Sequence, residues 1–196
     1  PNESIYALSF DYNQRHKKEL EFADYWAHRK CKEWKLIQLN FLHAFAEGSA
    51  LTNIDISIPE EHYEHENQKL TIVPNRNMIM LSIAVAWAES LNLKEVYYAA
   101  HKNDRAIYPD CRPEFLAALT AATQLGTLTH VEVKAPFINE LKEHIVSYGR
   151  RLNVDFTKTW SCYKGGNKHC GKCGTCQERR EAFLNAKIDD PTEYEI

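Results

Sequence analysis

The sequence predicts an α/β protein in which a parallel sheet is flanked by helices, because short apolar runs alternate along it with segments of helical spacing. Two further observations shape that prediction. The 196 residues, 44% hydrophobic and 26% charged, have the composition of a globular chain that can bury one sizeable core. Four of the six cysteines lie between 162 and 176, so a cysteine-rich segment is expected to follow the α/β body.

Hydrophobic periodicity assigns the individual elements. Strands are predicted where short apolar runs are bounded by polar residues, at 5–12, 35–39, 95–100 and 130–135. Helices are predicted where apolar residues recur at helical spacing, at 16–31, 41–47, 78–91, 113–124, 139–151 and 177–186. The helix at 78–91 is apolar nearly all round, which predicts deep burial. The polar stretch 59–69 shows no period and is predicted to be a loop.

Charge and hydropathy argue against several classes of function. The formal net charge of −3 disfavours a broad nucleic-acid-binding face, which needs clustered basic residues. The longest apolar stretch, Ile79 to Ala88, is about half as long as a membrane-spanning helix. The amino end has neither the basic nor the apolar part of a secretory signal. We therefore expect a cytoplasmic protein with no membrane partner and no direct nucleic-acid partner.

The clustered cysteines follow the spacing C-x7-C-x2-C-x2-C. Thiolates brought together by tight turns converge on one ion, and four of them make a closed tetrahedral site that is structural rather than catalytic. We therefore predict a structural zinc ion bound by Cys162, Cys170, Cys173 and Cys176. His169 is expected to be a neighbour rather than a ligand. The alternatives are a disulfide framework, which suits small secreted chains, and a redox C-x-x-C pair, which leaves Cys162 unexplained.

The loops that leave the strands are candidates for a binding site, because ligands of open parallel sheets bind outside the carboxyl ends of the strands. Cationic side chains fall on these loops or just before the helix at 78–91: Arg15, His16, Arg76 and Arg112. Together they predict a rim that binds an anionic substrate. Each has an ordinary alternative, since Arg76 can be a surface charge and His16 a residue at a helix start. Asn75 or Asn77 can be a simple N-cap.

Six segments spread along the chain share the motifs of one family: FDYNQRHKKE (10–19), SALT (49–52), VPNRN (73–77), YPDCRPEF (108–115), PF…LK (136–142) and TWSCYKGGNKHCGKCGTCQER (159–179). On these motifs the chain resembles the QueC family of 7-cyano-7-deazaguanine synthases, which act in the pathway to queuosine and archaeosine in transfer RNA. The last segment is the most specific, because it matches both in cysteine spacing and in the residues between. The resemblance covers essentially the whole chain.

The resemblance implies a fold and a set of cofactors. The family has the pyrophosphate-loop, adenine-nucleotide α-hydrolase-like fold, a Rossmann-like, doubly wound parallel sheet, and it is usually a homodimer with one structural zinc ion per chain. Residues 1–156 are then an ATP-ligase domain, and residues 157–196 a zinc-binding segment and helix packed on it. ATP, with Mg²⁺, is implied as cosubstrate.

The resemblance also implies a reaction. Family members convert 7-carboxy-7-deazaguanine and ammonia into the nitrile through an activated acyl group and an amide. Arg76 and Lys142 are implied as residues that neutralise charge on the transferred phosphate, and Arg15 and His16 complete the candidate catalytic set. Substrate binding is assigned to three residues: Tyr108, Asp110 and Arg112. Asp110 accepts ring N–H donors and Tyr108 stacks on the ring, with a plain Tyr-Pro-Asp turn as the alternative.

One family motif is missing from these residues. The pyrophosphate loop, Ser-Gly-Gly-x-Asp-Ser, does not occur, and the Gly-Gly pair at 165–166 belongs to the cysteine segment. We expect an amino segment that carries the loop to precede Pro1. Two alternatives to the nitrile-forming reaction remain open: a QueC-like enzyme that attaches a deazaguanine to another acceptor, and a non-catalytic zinc-containing binding module.

The two remaining cysteines stand alone. Cys111 lies in YPDCRPEF, near the predicted pocket, so a nucleophilic thiol is one alternative. Activation by ATP followed by attack of ammonia requires no covalent enzyme intermediate, and we therefore expect Cys111 to be dispensable for turnover. Cys31, at the end of an amphipathic helix, is expected to serve packing.

Overall fold

A computed structural model describes residues 4–60 and 66–195. Its strands are β1 (Tyr6–Asp11), β2 (Glu33–Gln38), β3 (Glu95–Tyr97) and β4 (Glu132–Lys134). Its α-helices are α1 (Lys18–Lys30), α2 (Arg76–Ser90), α3 (Pro113–Gly126), α4 (Lys142–Arg151) and α5 (Gly174–Ala186). Short 3-10 helices lie at Asn40–Phe45, Glu66–Thr71, Lys102–Ala106, Pro109–Cys111 and Phe156–Lys158. No helix in these described ranges is long and apolar enough to cross a bilayer.

The strands pair in parallel, as the alternation of strands and helices predicts. β1 pairs with β2 from Tyr6 opposite Glu33 to Asp11 opposite Gln38, and α1 makes the crossover. β3 pairs with β4, with Val96 opposite Val133, and α3 lies in the connection between them. Within the described residues these pairs form two separate two-stranded sheets. The α/β class with parallel strands is confirmed, and the single doubly wound sheet stays a prediction.

The chain divides into two compact units. One contains 1–73 and 147–196, and the other contains 74–146. The first unit therefore holds β1, β2 and the cysteine-rich segment, and the second holds β3, β4 and the helices α2 and α3. The domain limits predicted from the sequence, 1–156 and 157–196, stay a prediction.

The 74–146 unit has an aliphatic core between its helices and its sheet. The buried members come from α2, α3 and the β4 region: Leu81, Val85, Ala88, Leu119, Val131 and Val133. Helix α3 also covers the outer edge of β4, because the Thr120 hydroxyl donates to the Val133 carbonyl (2.7 Å) and the Thr123 hydroxyl to the Val131 carbonyl (2.8 Å). A strand edge with unsatisfied backbone groups invites unwanted pairing. Thr120 and Thr123, one turn apart on α3, satisfy two carbonyl groups of that edge.

Helix α2 corrects one expectation. Its sequence is apolar nearly all round, yet only Leu81, Val85 and Ala88 among its described residues are buried, while Ser82 and Ala86 are exposed. The core takes up one stripe of the helix, and small residues on the opposite face tolerate exposure. Deep burial is therefore confirmed for one stripe of the helix, and most of its other residues are half-buried.

Other differences concern short or polar segments. The helix predicted at 41–47 is the 3-10 helix Asn40–Phe45. The loop predicted at 59–69 lies partly outside the described residues, and its end belongs to the 3-10 helix Glu66–Thr71, in which Gln68 is fully buried. Periodicity cannot detect a polar segment that packs against another part of the chain.

Candidate metal centre and substrate-binding residues

The four clustered cysteines form one site. The sulfur atoms of Cys162, Cys170, Cys173 and Cys176 all lie within 4.8 Å of one another, and all four residues are buried. Zinc–sulfur bonds of about 2.3 Å in a tetrahedron place the sulfurs about 3.8 Å apart. The sulfurs of Cys170 and Cys176 are 3.9 Å apart, so the donor set fits one zinc ion.

Local backbone geometry brings the sulfurs together. Cys173 is the N-cap of α5 and Cys176 lies in its first turn. Backbone N–H groups point at the sulfurs: that of Cys170 donates to Cys162 Sγ (3.4 Å), and that of Cys173 to Cys170 Sγ (3.3 Å). These donors and the positive end of the helix dipole favour thiolates over thiols. The last helix thus begins at Gly174, three residues before the predicted start at 177, because its first turn is part of the site.

Without a cation the thiols compete for protons. Hydrogen bonds from Cys162 and Cys176 lower the pKa of Cys173, whereas hydrogen bonding to Cys173 raises the pKa of Cys162 and hydrogen bonding to Cys162 that of Cys176. The Cys173 thiolate therefore accepts hydrogen bonds from neighbouring thiols that keep their protons, since several negative charges cannot share a buried site. A divalent cation removes that conflict, which is the electrostatic reason to expect a metal here.

His169 is a neighbour of the site, as the sequence indicates. Its Nε2 accepts a hydrogen bond from the Ser161 backbone N–H (3.2 Å), and its ring lies 4.2 Å from the ring of Trp160. Burial, helped by the charge of Arg179, lowers the pKa of His169 to about 4, so the ring is neutral at physiological pH. The metal-binding cluster found among the described residues consists of the cysteines alone.

Arg15 and His16 lie in the same unit as the cysteines. The Arg15 guanidinium donates to the carbonyl oxygens of Ile56 (2.7 Å), Ile54 (3.1 Å) and Ala50 (3.3 Å). His16 is 4% exposed and its ring packs 5.4 Å from that of Tyr163. These hydrogen bonds fix the 50–56 segment against Arg15. The assignment of Arg15 and His16 to catalysis stays a prediction.

Asp110 is joined to the start of α2. Its Oδ2 accepts a hydrogen bond from the Asn77 backbone N–H (3.2 Å), while the Asn77 side chain donates to Cys111 Sγ (3.5 Å). The Cys111 thiol lies 4.0 Å from Asp110 Oδ1. Arg76 is the first residue of the same helix, and its positive charge acts to lower the pKa of the Cys111 thiol. The structure thus brings Arg76 and Asp110 into one cluster, which we call the Asp110 cluster, together with Asn77 and Cys111.

The thiol of Cys111 is poorly suited to nucleophilic attack. Burial raises its pKa well above the ordinary value, and the carboxylates of Asp104 and Asp110 raise it further. Burial raises the pKa of the nearby Tyr98 phenol as well, and the carboxylates of Asp110 and Asp104 raise it further. A thiol that stays protonated is a weak nucleophile, which agrees with the expectation that Cys111 is dispensable.

The remaining predicted residues are placed differently. Tyr108 is 8% exposed, so most of its ring is already covered by protein. Arg112 is exposed, and its Nε donates to the Arg105 carbonyl (3.1 Å). Lys142 begins α4, and its backbone N–H donates to Asn103 Oδ1 (3.1 Å). The assignments of these three residues to substrate binding and catalysis stay predictions.

Sequence reasoning missed two groups of contacts. Asn77 was considered only as an N-cap, although it links α2 to both Asp110 and Cys111. Arg179 and Asp190 form a buried ion pair with Nε and Oδ1 3.6 Å apart, and neither was singled out. The VPNRN motif was the one signal that pointed to Asn77, while no local pattern marks a charge pair that only packing brings together.

Comparison with known proteins identifies the family. Residues 2–187 match the family model described as queuosine biosynthesis protein QueC. A protein of Pseudoalteromonas translucida named 7-cyano-7-deazaguanine synthase is 47% identical over 97% of this chain and 87% of its own length. Proteins with the same name from Hahella chejuensis and Caldicellulosiruptor bescii are 48% and 46% identical, over 97% and 98% of this chain and 82% and 86% of their own lengths. The resemblance carried by the motifs is thereby confirmed, and the chain belongs to the QueC family of queuosine-biosynthesis proteins.

Proposed function

We propose that this protein is an ATP-dependent carbon–nitrogen ligase that converts 7-carboxy-7-deazaguanine and ammonia into 7-cyano-7-deazaguanine. The observation that carries the proposal is the match to relatives named for that product, at 47% identity over 97% of the chain. The four buried cysteines at the family spacing support it. The finer parts of the proposal, namely ATP, Mg²⁺ and the pyrophosphate-loop type of fold, are consistent with parallel strands joined by helical crossovers.

The chemistry explains why ATP is needed. A carboxylate cannot expel oxide, so one of its oxygens must first become a phosphate-type leaving group before ammonia attacks. The amide oxygen that results must be activated again before dehydration to the nitrile. Positive side chains stabilise the charge that grows on the transferred phosphate, and we assign that function to Arg76 and Lys142. The proposed stoichiometry is therefore two ATP molecules per nitrile.

The Asp110 cluster offers hydrogen-bond acceptors to the ring of the proposed substrate. A carboxylate offers several lone pairs, and the Asn77 N–H takes one on Oδ2. The remaining lone pairs are available to the N–H and amino donors along one edge of a deazaguanine. The Asn77 backbone N–H at the start of α2 holds the Asp110 carboxylate. The orientation of the carboxylate is therefore set by a backbone group and not by a second side chain.

The zinc ion that the cysteines fit would be structural. Cys162, Cys170, Cys173 and Cys176 would hold it, and a set of four thiolates would leave no coordination position for a substrate. When bound, the ion supplies a crosslink between the start of α5 and the segment before it. The reaction itself is assigned to ATP and to the side chains of the protein.

One assay distinguishes the three candidate functions. Protein expressed from the complete open reading frame is incubated with ATP, Mg²⁺, 7-carboxy-7-deazaguanine and ammonium, and products are followed by mass spectrometry. Nitrile formation from these inputs alone supports the proposal. ATP consumption that yields no nitrile, but gives an adduct when an amine or peptide acceptor is added, favours the acceptor-transferring relative. No ATP consumption under any of these conditions favours the binding module.

Asp110→Asn tests the assignment of the substrate-binding residue. The amide keeps an oxygen for the Asn77 N–H and loses the negative charge, so the KM for 7-carboxy-7-deazaguanine should rise about tenfold or more, with the KM for ATP little changed. Glu114→Gln is the matched control, because Glu114 is an exposed carboxylate on α3. Equal effects of the two changes would contradict the assignment of Asp110.

The homodimer implied by the family is a separate proposal. Analytical ultracentrifugation over a range of concentrations measures it directly, and a species with the mass of a single chain at all concentrations would contradict it.

A further inference from the structure

Gly165 lies directly on the backbone of Arg15 and His16. Its φ is +69°, a left-handed conformation that favours glycine. A methyl carbon at this position would be 2.3 Å from the Arg15 carbonyl oxygen and 3.2 Å from the His16 Cα. These are backbone atoms, which cannot rotate away as a side chain can. The turn between Cys162 and Cys170 therefore rests on the Arg15–His16 peptide, and only glycine permits that approach.

A second contact joins the same two segments. The ring of Tyr163 lies 5.4 Å from the ring of His16, which is 4% exposed. Tyr163 and Gly165 both belong to the loop between the first two cysteines. If one ion binds both cysteines, that loop is closed at each end, and its shape is fixed by the metal.

Arg15 transmits this constraint to the 50–56 segment. Its backbone N–H donates to the Leu51 carbonyl (2.9 Å), and its guanidinium donates to carbonyls at 50, 54 and 56. Ala50 and Leu51 are fully buried. A guanidinium with several carbonyl acceptors fixes the path of a segment that has no regular secondary structure of its own.

We propose that Gly165 and Tyr163 are positioning residues through which the four-cysteine segment holds the Arg15–His16 turn and the 50–56 segment in place. Metal binding would then order part of the candidate active site as well as stabilise the fold. The consequence for turnover rests on the function proposed above. The consequence for the order of these segments does not depend on it.

Gly165→Ala is the direct test, with Gly166→Ala as its matched control. A methyl carbon at 166 would lie 3.0 Å from the end of the Glu195 side chain, which can move, and at an ordinary contact distance of 3.6 Å from the Lys168 carbonyl oxygen. Amide hydrogen exchange followed by mass spectrometry should be about tenfold or more faster in peptides covering 11–17 and 49–56 of Gly165→Ala. The control should match wild type, and both variants should bind about one zinc ion per chain.

The kinetic readout separates positioning from general stability. Displacement of a turn that carries candidate catalytic residues should lower kcat about tenfold or more in Gly165→Ala and change it less than about twofold in Gly166→Ala, with zinc content unchanged. If wild-type protein forms no nitrile, the proposed function fails while the exchange measurement still tests the coupling. Unchanged exchange at 11–17 and 49–56 in folded Gly165→Ala would overturn the proposal.

Tyr163→Ala covers the case in which Gly165→Ala does not fold. It removes the ring against His16 and introduces no atom into the Arg15 backbone. Exchange at 14–17 should rise, with zinc bound as in wild type. Exchange at these residues equal to that of wild type would likewise overturn the proposal.

Discussion

The four-cysteine segment and the 74–146 unit are stabilised by different interactions. The 74–146 unit buries aliphatic side chains of α2, α3 and β4 against one another. The segment around the cysteines buries thiols and polar groups instead, among them His169, Glu178 and Arg179. Apolar packing is non-directional, and a substitution within it lowers the stability of the protein in proportion to the atoms removed. A metal site with buried polar groups depends on each partner, so the loss of one leaves others unsatisfied.

The difference predicts how each region responds to change. The cysteine region should fail as a unit when one ligand or one charge is removed. The aliphatic core should lose stability gradually, and its loss should not affect metal content.

Cys173→Ser should have the largest effect. Because free energies of zinc binding at structural sites are about 10–16 kcal/mol and are largely folding free energy, loss of one ligand should lower zinc content, melting temperature and solubility together. Metal analysis by mass spectrometry and thermal unfolding measure these quantities. Cys31→Ser is the control, because Cys31 lies outside the cluster at the end of α1. A metal-free protein that folds normally, or a disulfide among the cysteines, would contradict the zinc assignment.

Asp190→Asn should cost about 3–4 kcal/mol of unfolding free energy at neutral pH, because it leaves Arg179 buried without its carboxylate. Urea unfolding measures the loss. The exposed neighbour Asp189 supplies the control, since Asp189→Asn should change stability by less than about 0.5 kcal/mol. A loss as small as that of the control would show that the ion pair contributes little.

The same pair predicts a pH dependence. Burial acts to raise the pKa of Asp190, but hydrogen bonds from Thr192 and Tyr194 and the Arg179 charge outweigh it and lower the pKa below its ordinary 3.8. A lowered folded-state pKa means that the contribution is complete above 3.8 and is lost as pH falls through the folded value. The stability difference between wild type and Asp190→Asn should therefore shrink only below about pH 4. A difference that shrinks already near pH 6 would assign the effect to another group.

Leu119→Ala should cost about 2–3 kcal/mol, the cost of a cavity in a packed core. Leu125→Ala on the same helix is the matched control, because Leu125 is 89% exposed and Leu119 only 4%. Both variants should keep the zinc content of wild type. Loss of zinc from Leu119→Ala would show that the two regions are not independent.

Cys111→Ala should have the smallest effect on turnover. The proposed reaction, activation by ATP followed by attack of ammonia, needs no covalent enzyme intermediate, and the raised pKa of the Cys111 thiol keeps it protonated. Nitrile formation should remain measurable, and the folded protein should resist alkylation at Cys111 by iodoacetamide at pH 8, where an ordinary thiol of pKa about 8.5 reacts. Complete loss of turnover with fold and zinc intact would assign the thiol a direct part in the reaction.

The sequence predicted most of the regular elements because their patterns are local. The helix at 113–124 is confirmed as α3, and the strands at 5–12 and 95–100 contain β1 and β3. The segment Glu66–Thr71 could not be predicted, since Gln68 is buried against the cysteine segment. The contact is close, because a methyl carbon added at Gly174 would lie 2.7 Å from Gln68 Oε1. Burial of a polar residue depends on its partner, and the partner lies far away in the chain.

The candidate site shows the same division. The four-cysteine cluster could be predicted from the sequence, because its members lie within fifteen residues and their spacing sets the turns that bring the sulfurs together. Two other contacts depend on the folded chain: the Arg15 guanidinium donates to carbonyls at 50, 54 and 56, and Asp110 accepts a hydrogen bond from the start of α2. A charged residue type gives its chemistry, but the groups it meets are set by packing between segments distant in sequence. No hydrophobic period or residue spacing in the sequence indicates which groups a charged side chain will contact.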